Sequence, residues 1–416
     1  MLDDLYSNPL VLARHRDAPQ VRARERFLVH CADQGYPRSS LRKIAWQLLV
    51  IASTIDLRKR KVSLAEIKRA ATSPAVFNQR PSPDPGSSPK STQQLFVHTA
   101  KAWLGFLGRL QAPPAVRTEF SRRVSAFERY MREERGLSPA TIAFRCDALG
   151  WFCTFLPERR RVLNEISVTD VDAFLAMKGA AGWSRASLDL LAGSLRSFFR
   201  YAHDRHWCAA DIAAAIQGPR IFAQEQPPRG LPWADVQRLL VSGTGDSAAN
   251  IRDHAILMLL ALYGLRAGEV SRLCLDDVDW DQEVVSFVRP KQRCAQEYPW
   301  LPEAGEAVLR YLREVRPCCT RRELFLTINA PHRALSSHSV SALVRARLNA
   351  IGVTTPRTGG HRLRHACAMH LLASGFSFKE IGDYLGHRSA DSTFTYAKVD
   401  VAGLRQVAEL DMGALL

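Results

Sequence analysis

Only one stretch of this 416-residue chain carries a strong β signal. Within 278–301, Val284, Val285, Phe287 and Val288 form a β-branched and aromatic run, a basic turn follows over 289–293, and Tyr298, Trp300 and Leu301 resume the apolar pattern. Elsewhere the apolar residues recur at helical spacing. The chain is therefore read as mainly α: helical bundles ahead of an α+β domain that holds a small antiparallel sheet.

The length exceeds one ordinary core, so two or three domains are expected. Residues 75–92 contain QRPSPDPGSSPK, which reads as a flexible connector, and a second break spans 217–232 with Gly218, Pro219, Pro227, Pro228 and Pro232. Three blocks follow, at 1–112, 113–222 and 223–416. In the middle block Ser138 is an N-cap with Pro139 at the first helical position, and Ile142, Leu149, Phe152 and Phe155 continue from it. Ser167 to Asp170 opens a second helix carrying Val171, Phe174 and Leu175, and a third ends in Phe198, Phe199 and Tyr201. The first block echoes this pattern. Gly35 and Leu41 match Gly136 and Ile142 at an offset of 101, Ser63 and Ile67 match Ser167 and Val171 at 104, and Thr99, Trp103 and Leu104 match Ser194, Phe198 and Phe199 at 95. Either the block is a diverged duplicate or the likeness is that of any two amphipathic bundles.

The chemistry concentrates late in the chain. His361 and Arg364 follow Gly359 and Gly360 and share one face of a helix whose N-terminus favours an anion, with Leu363, Ala366 and Met369 on its buried side. Ser377 to Glu380 forms a capping box, Gly386 fits the C′ position, and His387 projects from that helix end, nine residues before Tyr396. Arg266 lies where an apolar helix breaks at Gly264 and a short helix begins, with Glu269 as an available salt partner. A tyrosine attacks a phosphodiester only where fixed donors offset the charge of the transition state. Arginine supplies that charge permanently, and histidine also moves protons near neutral pH.

Metal is opposed here: His361 and His365 are four apart, but Arg362 stands where a zinc-protease helix needs glutamate, so no metal and no cofactor is expected. The 57 basic and 41 acidic residues leave a charge of +16, which favours nucleic acid as partner. Nine scattered cysteines without a CxxC pair fit a reducing cytoplasm. The acidic start at Asp3 and Asp4 does not suit a signal peptide, and the longest apolar run, 255–263, falls far short of the roughly 20 residues of a membrane span. A soluble cytoplasmic protein away from membranes is expected.

Arg266, Lys291 in the hairpin turn, His361, Arg364, His387 and Tyr396, in this order, resemble the catalytic domain of the tyrosine recombinase (phage integrase-like) family. The turn lacks the glycines usual around that lysine, which keeps Arg293 as an alternative. The stretch from Gly136 to Ile142 resembles the family's core-binding, SAM-like domain, while the first block lies outside the usual two-domain plan.

The resemblance implies a site-specific recombinase or integrase that cleaves and rejoins double-stranded DNA. Tyr396 would form a 3′-phosphotyrosyl link, Arg266, Arg364 and His387 would hold the phosphate oxygens, Lys291 would protonate the leaving 5′ oxygen, and His361 would assist proton transfer at the tyrosine. It also implies a clamp around DNA, a homotetramer on two duplexes, related recombinases as further partners and a nucleoid location. The stripe of Val401, Leu404, Val407 and Leu410 serves either oligomer contacts or its own domain. The competing readings are a type IB topoisomerase-like nicking-closing enzyme and a catalytically silent DNA-binding protein.

Overall fold

The computed structural model describes residues 1–57, 61–73, 89–111, 118–157, 163–208, 211–221, 230–289, 294–354, 359–387, 393 and 396. Residues 1–111 and 226–416 form one compact unit and residues 112–225 a second. Among the described residues the architecture is mainly helical with one three-stranded antiparallel sheet. No helix among the described residues is long and apolar enough to cross a membrane.

Residues 1–111 fold into α1 (Leu2–Leu5), α2 (Pro9–Asp17), α3 (Val21–Asp33), α4 (Arg38–Thr54), α5 (Leu64–Ala71) and α6 (Pro89–Phe106). The last of these begins inside the segment read as a connector, with Pro89 at the end where a missing N–H costs nothing. Leu28, Leu48, Ile51, Ile67, Phe96, Ala100, Trp103 and Leu104 bury completely in its core. Arg24 is also buried, and it donates to the carbonyls of Pro19 at 2.9 Å and Ala18 at 3.0 Å, so its N–H groups are satisfied in the interior.

The second unit holds α7 (Glu119–Glu133), α8 (Pro139–Phe155), α9 (Val168–Ala180), α10 (Arg185–His203) and α11 (Asp211–Ala215). The Ser138 side chain accepts from the Thr141 N–H with Pro139 in the first turn, and Ser167 closes a capping box with Asp170. Ser63 closes the equivalent box with Glu66 at the start of α5. The packing partners also correspond: α3 on α4, α4 on α6 and α5 on α6 in the first bundle; α7 on α8, α8 on α10 and α9 on α10 in the second.

Residues 230–396 form α12 (Trp233–Ser242), α13 (Ala248–Leu262), α14 (Ala267–Val270), β1 (Val278–Asp279), β2 (Val284–Arg289), β3 (Cys294–Pro299), α15 (Pro302–Glu314), α16 (Ser337–Ala350), α17 (Gly360–Ala373) and α18 (Phe378–Leu385). The apolar α13 is central and packs against α15 and α17. Tyr263, just past its end, donates to the Pro299 carbonyl at 3.0 Å and accepts from the Leu301 N–H at 2.7 Å, which ties the helix to the end of β3.

The expected hairpin is present as β2 and β3, and the two-residue β1 adds a third strand. Arg289, read as a turn residue, instead closes the strand register opposite Cys294. The tail after Tyr396, with its apolar stripe, lies outside the described residues.

Candidate active site

The site assembles where the ends of α13, β2, α17 and α18 converge. Gly264 adopts φ +59°, a conformation glycine takes without strain, and a side chain there would collide with Leu385. The turn delivers Leu265 to the core and Arg266 to the N-cap of α14. Arg266 donates to buried Glu269 at 2.7 Å and still exposes 29% of its side chain, so the ion pair and an accessible guanidinium coexist.

Arg364 lies on the second turn of α17 and is 1% exposed. Its two Nη atoms donate to the carbonyls of Gly264 at 2.8 Å and Leu385 at 2.7 Å, which joins three segments and fixes the guanidinium plane. Burial, reinforced by the charge of Arg266, pushes its pKa down to about 10, so it remains charged at neutral pH. Arg289 is equally buried. It donates to the carbonyl of Leu385, to the Tyr298 hydroxyl at 2.6 Å and to the Tyr384 carbonyl at 3.1 Å. Arg266, Arg289 and the carboxylate of Glu269 all act electrostatically on Arg364. Three guanidiniums against one carboxylate leave an excess of fixed positive charge that an anion would complete.

His387 follows the capping-box helix α18 and its left-handed Gly386. The His387 N–H donates to the Gly382 carbonyl at 2.8 Å, and its Nδ1 lies 2.6 Å from the Thr393 hydroxyl. Burial, with Arg364, Arg266 and Arg289 nearby, drives its pKa down to about 3. The ring is neutral and can donate one hydrogen bond.

Tyr396 is 2% exposed, and burial raises its hydroxyl pKa to about 12 despite Arg364. Its hydroxyl lies 2.9 Å from Nδ1 of His365. The His365 pKa falls to about 4 through burial and the charges of His361, Arg364 and Arg362. A neutral imidazole thus faces a protonated phenol, and with Nδ1 unprotonated it accepts that proton.

Arg266, Arg364, His387 and Tyr396 are therefore brought together. His361 is exposed one turn from His365, with ring centroids 4.6 Å apart, and it is His365 rather than His361 that touches the tyrosine. Lys291 and Arg293 lie outside the described residues, between the paired positions Arg289 and Cys294. Arg289 and His365 are the members that sequence reasoning missed. His365 was visible beside Arg364, but its spacing from His361 drew it into a metal comparison.

Fixed positive charge around a tyrosine hydroxyl is the equipment of an enzyme that acts on a phosphate ester. The phage integrase family model matches residues 231–402, and the phage integrase N-terminal SAM-like domain model matches residues 124–206. The chain is 32% identical over 387 residues to the integrase/recombinase y4rA of Sinorhizobium fredii, covering 92% of each. It is 30% identical over 297 residues to tyrosine recombinase XerD of Bifidobacterium longum, covering 67% of this chain and 93% of that one. A crystal structure of a lambda integrase dimer bound to a COC′ core site shares the fold, with a TM-score of 0.52 at 17% identity over 66% of this chain and 94% of that one. The chain belongs to the phage integrase family of tyrosine recombinases. Both family models begin after residue 123, whereas the match to y4rA covers too much of the chain to omit more than a small part of residues 1–123. The recombinase names of these relatives favour strand exchange over nicking and closing alone.

Proposed function

We propose that this recombinase cleaves and rejoins double-stranded DNA through a 3′-phosphotyrosyl intermediate on Tyr396. The observation that carries this reading is the contact of the buried Tyr396 hydroxyl with neutral His365, beside Arg364 anchored on two carbonyls. His365 takes the phenol proton as the oxygen attacks phosphorus, and the 5′ oxygen leaves with a proton from Lys291. Arg266 and Arg364 hold the non-bridging oxygens and His387 adds a hydrogen bond. Attack by the released 5′ hydroxyl on the phosphotyrosine reverses the step and needs no energy source.

DNA as the partner is supported by the +16 charge and by a cavity of about 300 Å³ in the second unit, lined by Arg135, Arg145, Arg196 and Arg200. Residues 113–222 act as the core-binding domain and 223–416 as the catalytic domain, with four copies exchanging strands in the cytoplasm at the nucleoid and related recombinases able to join them. The test is covalent capture on a nicked suicide duplex. Intact protein gives an adduct, and Tyr396→Phe gives none.

A further inference from the structure

The first bundle repeats much of the burial pattern of the second. At an offset of 101, Leu41, Leu48, Ile51 and Ile55 are buried like Ile142, Leu149, Phe152 and Leu156. At 95, Phe96, Ala100, Trp103 and Leu104 are buried like Leu191, Leu195, Phe198 and Phe199. Two amphipathic bundles share apolar spacing in any case, but here a polar core position repeats as well: Thr99 is 5% exposed and Ser194 is 3% exposed, again 95 apart. The capping boxes of Ser63 and Ser167 and the left-handed glycines Gly35 and Gly136 also correspond.

Charge is not shared so evenly. Residues 1–112 hold 18 Lys and Arg against 8 Asp and Glu, residues 113–222 hold 16 against 12, and residues 223–416 hold 23 against 21. Most of the +16 therefore belongs to the first block. Its cations Arg22 and Arg26 on α3, Lys68 and Arg69 on α5 and Lys101 on α6 lie outside the core. Several of its carboxylates are already engaged: Asp3 with Arg16, Asp4 with the N-terminus and Glu66 in its capping box.

From these observations we infer that residues 1–111 are a second, duplicated bundle that binds the phosphate backbone of duplex DNA. This inference rests on the recombinase reading for its choice of polyanion. The first block does not copy the arginine-lined cavity of the second unit. Lys101 stands at the place of Arg196, but Ile44 and Gly105 stand where Arg145 and Arg200 line that cavity. Its exposed cations Arg22 and Arg26 on α3 and Lys68 and Arg69 on α5 meet phosphates without that cavity.

The test uses full-length protein and a 60-base-pair duplex of mixed sequence, with affinity measured across a salt series. Replacing Arg22, Arg26, Lys68 and Arg69 together by Gln should lower the salt slope by roughly 0.9 for each phosphate no longer neutralised, hence by about 2 to 4. Adduct formation on a short nicked duplex spanning the cleavage site should stay at the wild-type level. An unchanged slope, or an adduct yield that falls in step with the slope, would overturn the proposal. In the wild-type chain, Lys68 and Lys101 should be shielded from acetylation by the duplex but not by polyglutamate. Shielding by neither, or equally by both, would also overturn it. Absence of any adduct with wild-type protein would instead count against the recombinase reading, whatever the slope.

Discussion

The hydroxyl of Tyr396 and Nδ1 of His365 lie 2.9 Å apart, although 31 residues separate them in the chain. Burial pushes their pKa values in opposite directions, the phenol up to about 12 and the imidazole down to about 4. The proton therefore rests on the tyrosine, and a neutral acceptor is already in place.

Replacing His365 by Ala should slow single-turnover cleavage by about 10²- to 10⁴-fold, the range of a general base, while DNA affinity changes little. His361→Ala should have the smaller effect on the same step because the exposed ring does not touch the hydroxyl. A larger loss from His361→Ala would restore that residue to the tyrosine.

Arg364→Lys should remove the fork that reaches two carbonyls. The Leu385 carbonyl keeps Arg289 as a donor, so the orphaned acceptor is that of Gly264. A stability loss of about 1–3 kcal/mol in urea titration is expected, together with cleavage near background.

Arg289 fixes the carbonyls of Tyr384 and Leu385 immediately before Gly386 and His387. It acts as a positioning residue. Arg289→Met should lower the cleavage rate without a matching loss of DNA affinity, and Gly386→Ala should do the same because the added Cβ would meet the Arg289 side chain at a φ of +62°. Both outcomes are read from cleavage rates set against binding curves.

His15, His365 and His387 have pKa values held near 4, 4 and 3, below the ordinary 6.5. Between about pH 6.5 and 4 the unfolded chain takes up protons that the native state refuses, so stability falls as pH falls through that window. Urea midpoints at pH 7.5 and pH 5 test this: the midpoint should be lower at pH 5.

The helices were legible because their ends are written locally. Ser138 with Pro139, Ser167 with Asp170, and Ser377 with Glu380 ahead of Gly386 each supply a cap that needs no tertiary information. Arg266, Arg364 and His387 were legible for the same reason, since each sits at or near a helix end. Arg289 was not, because its burial depends on the strand register and on carbonyls nearly a hundred residues away. The role of His365 was hidden similarly, since nothing in residues 361–365 says which histidine the returning tyrosine will meet.

Every role assigned to the site depends on a covalent bond between Tyr396 and DNA. Intact protein incubated with a nicked suicide duplex, denatured and digested, should yield a phosphotyrosyl peptide containing Tyr396, and Tyr396→Phe should yield no adduct. An adduct that survives in Tyr396→Phe, or that maps to another residue, would show that Tyr396 is not the nucleophile.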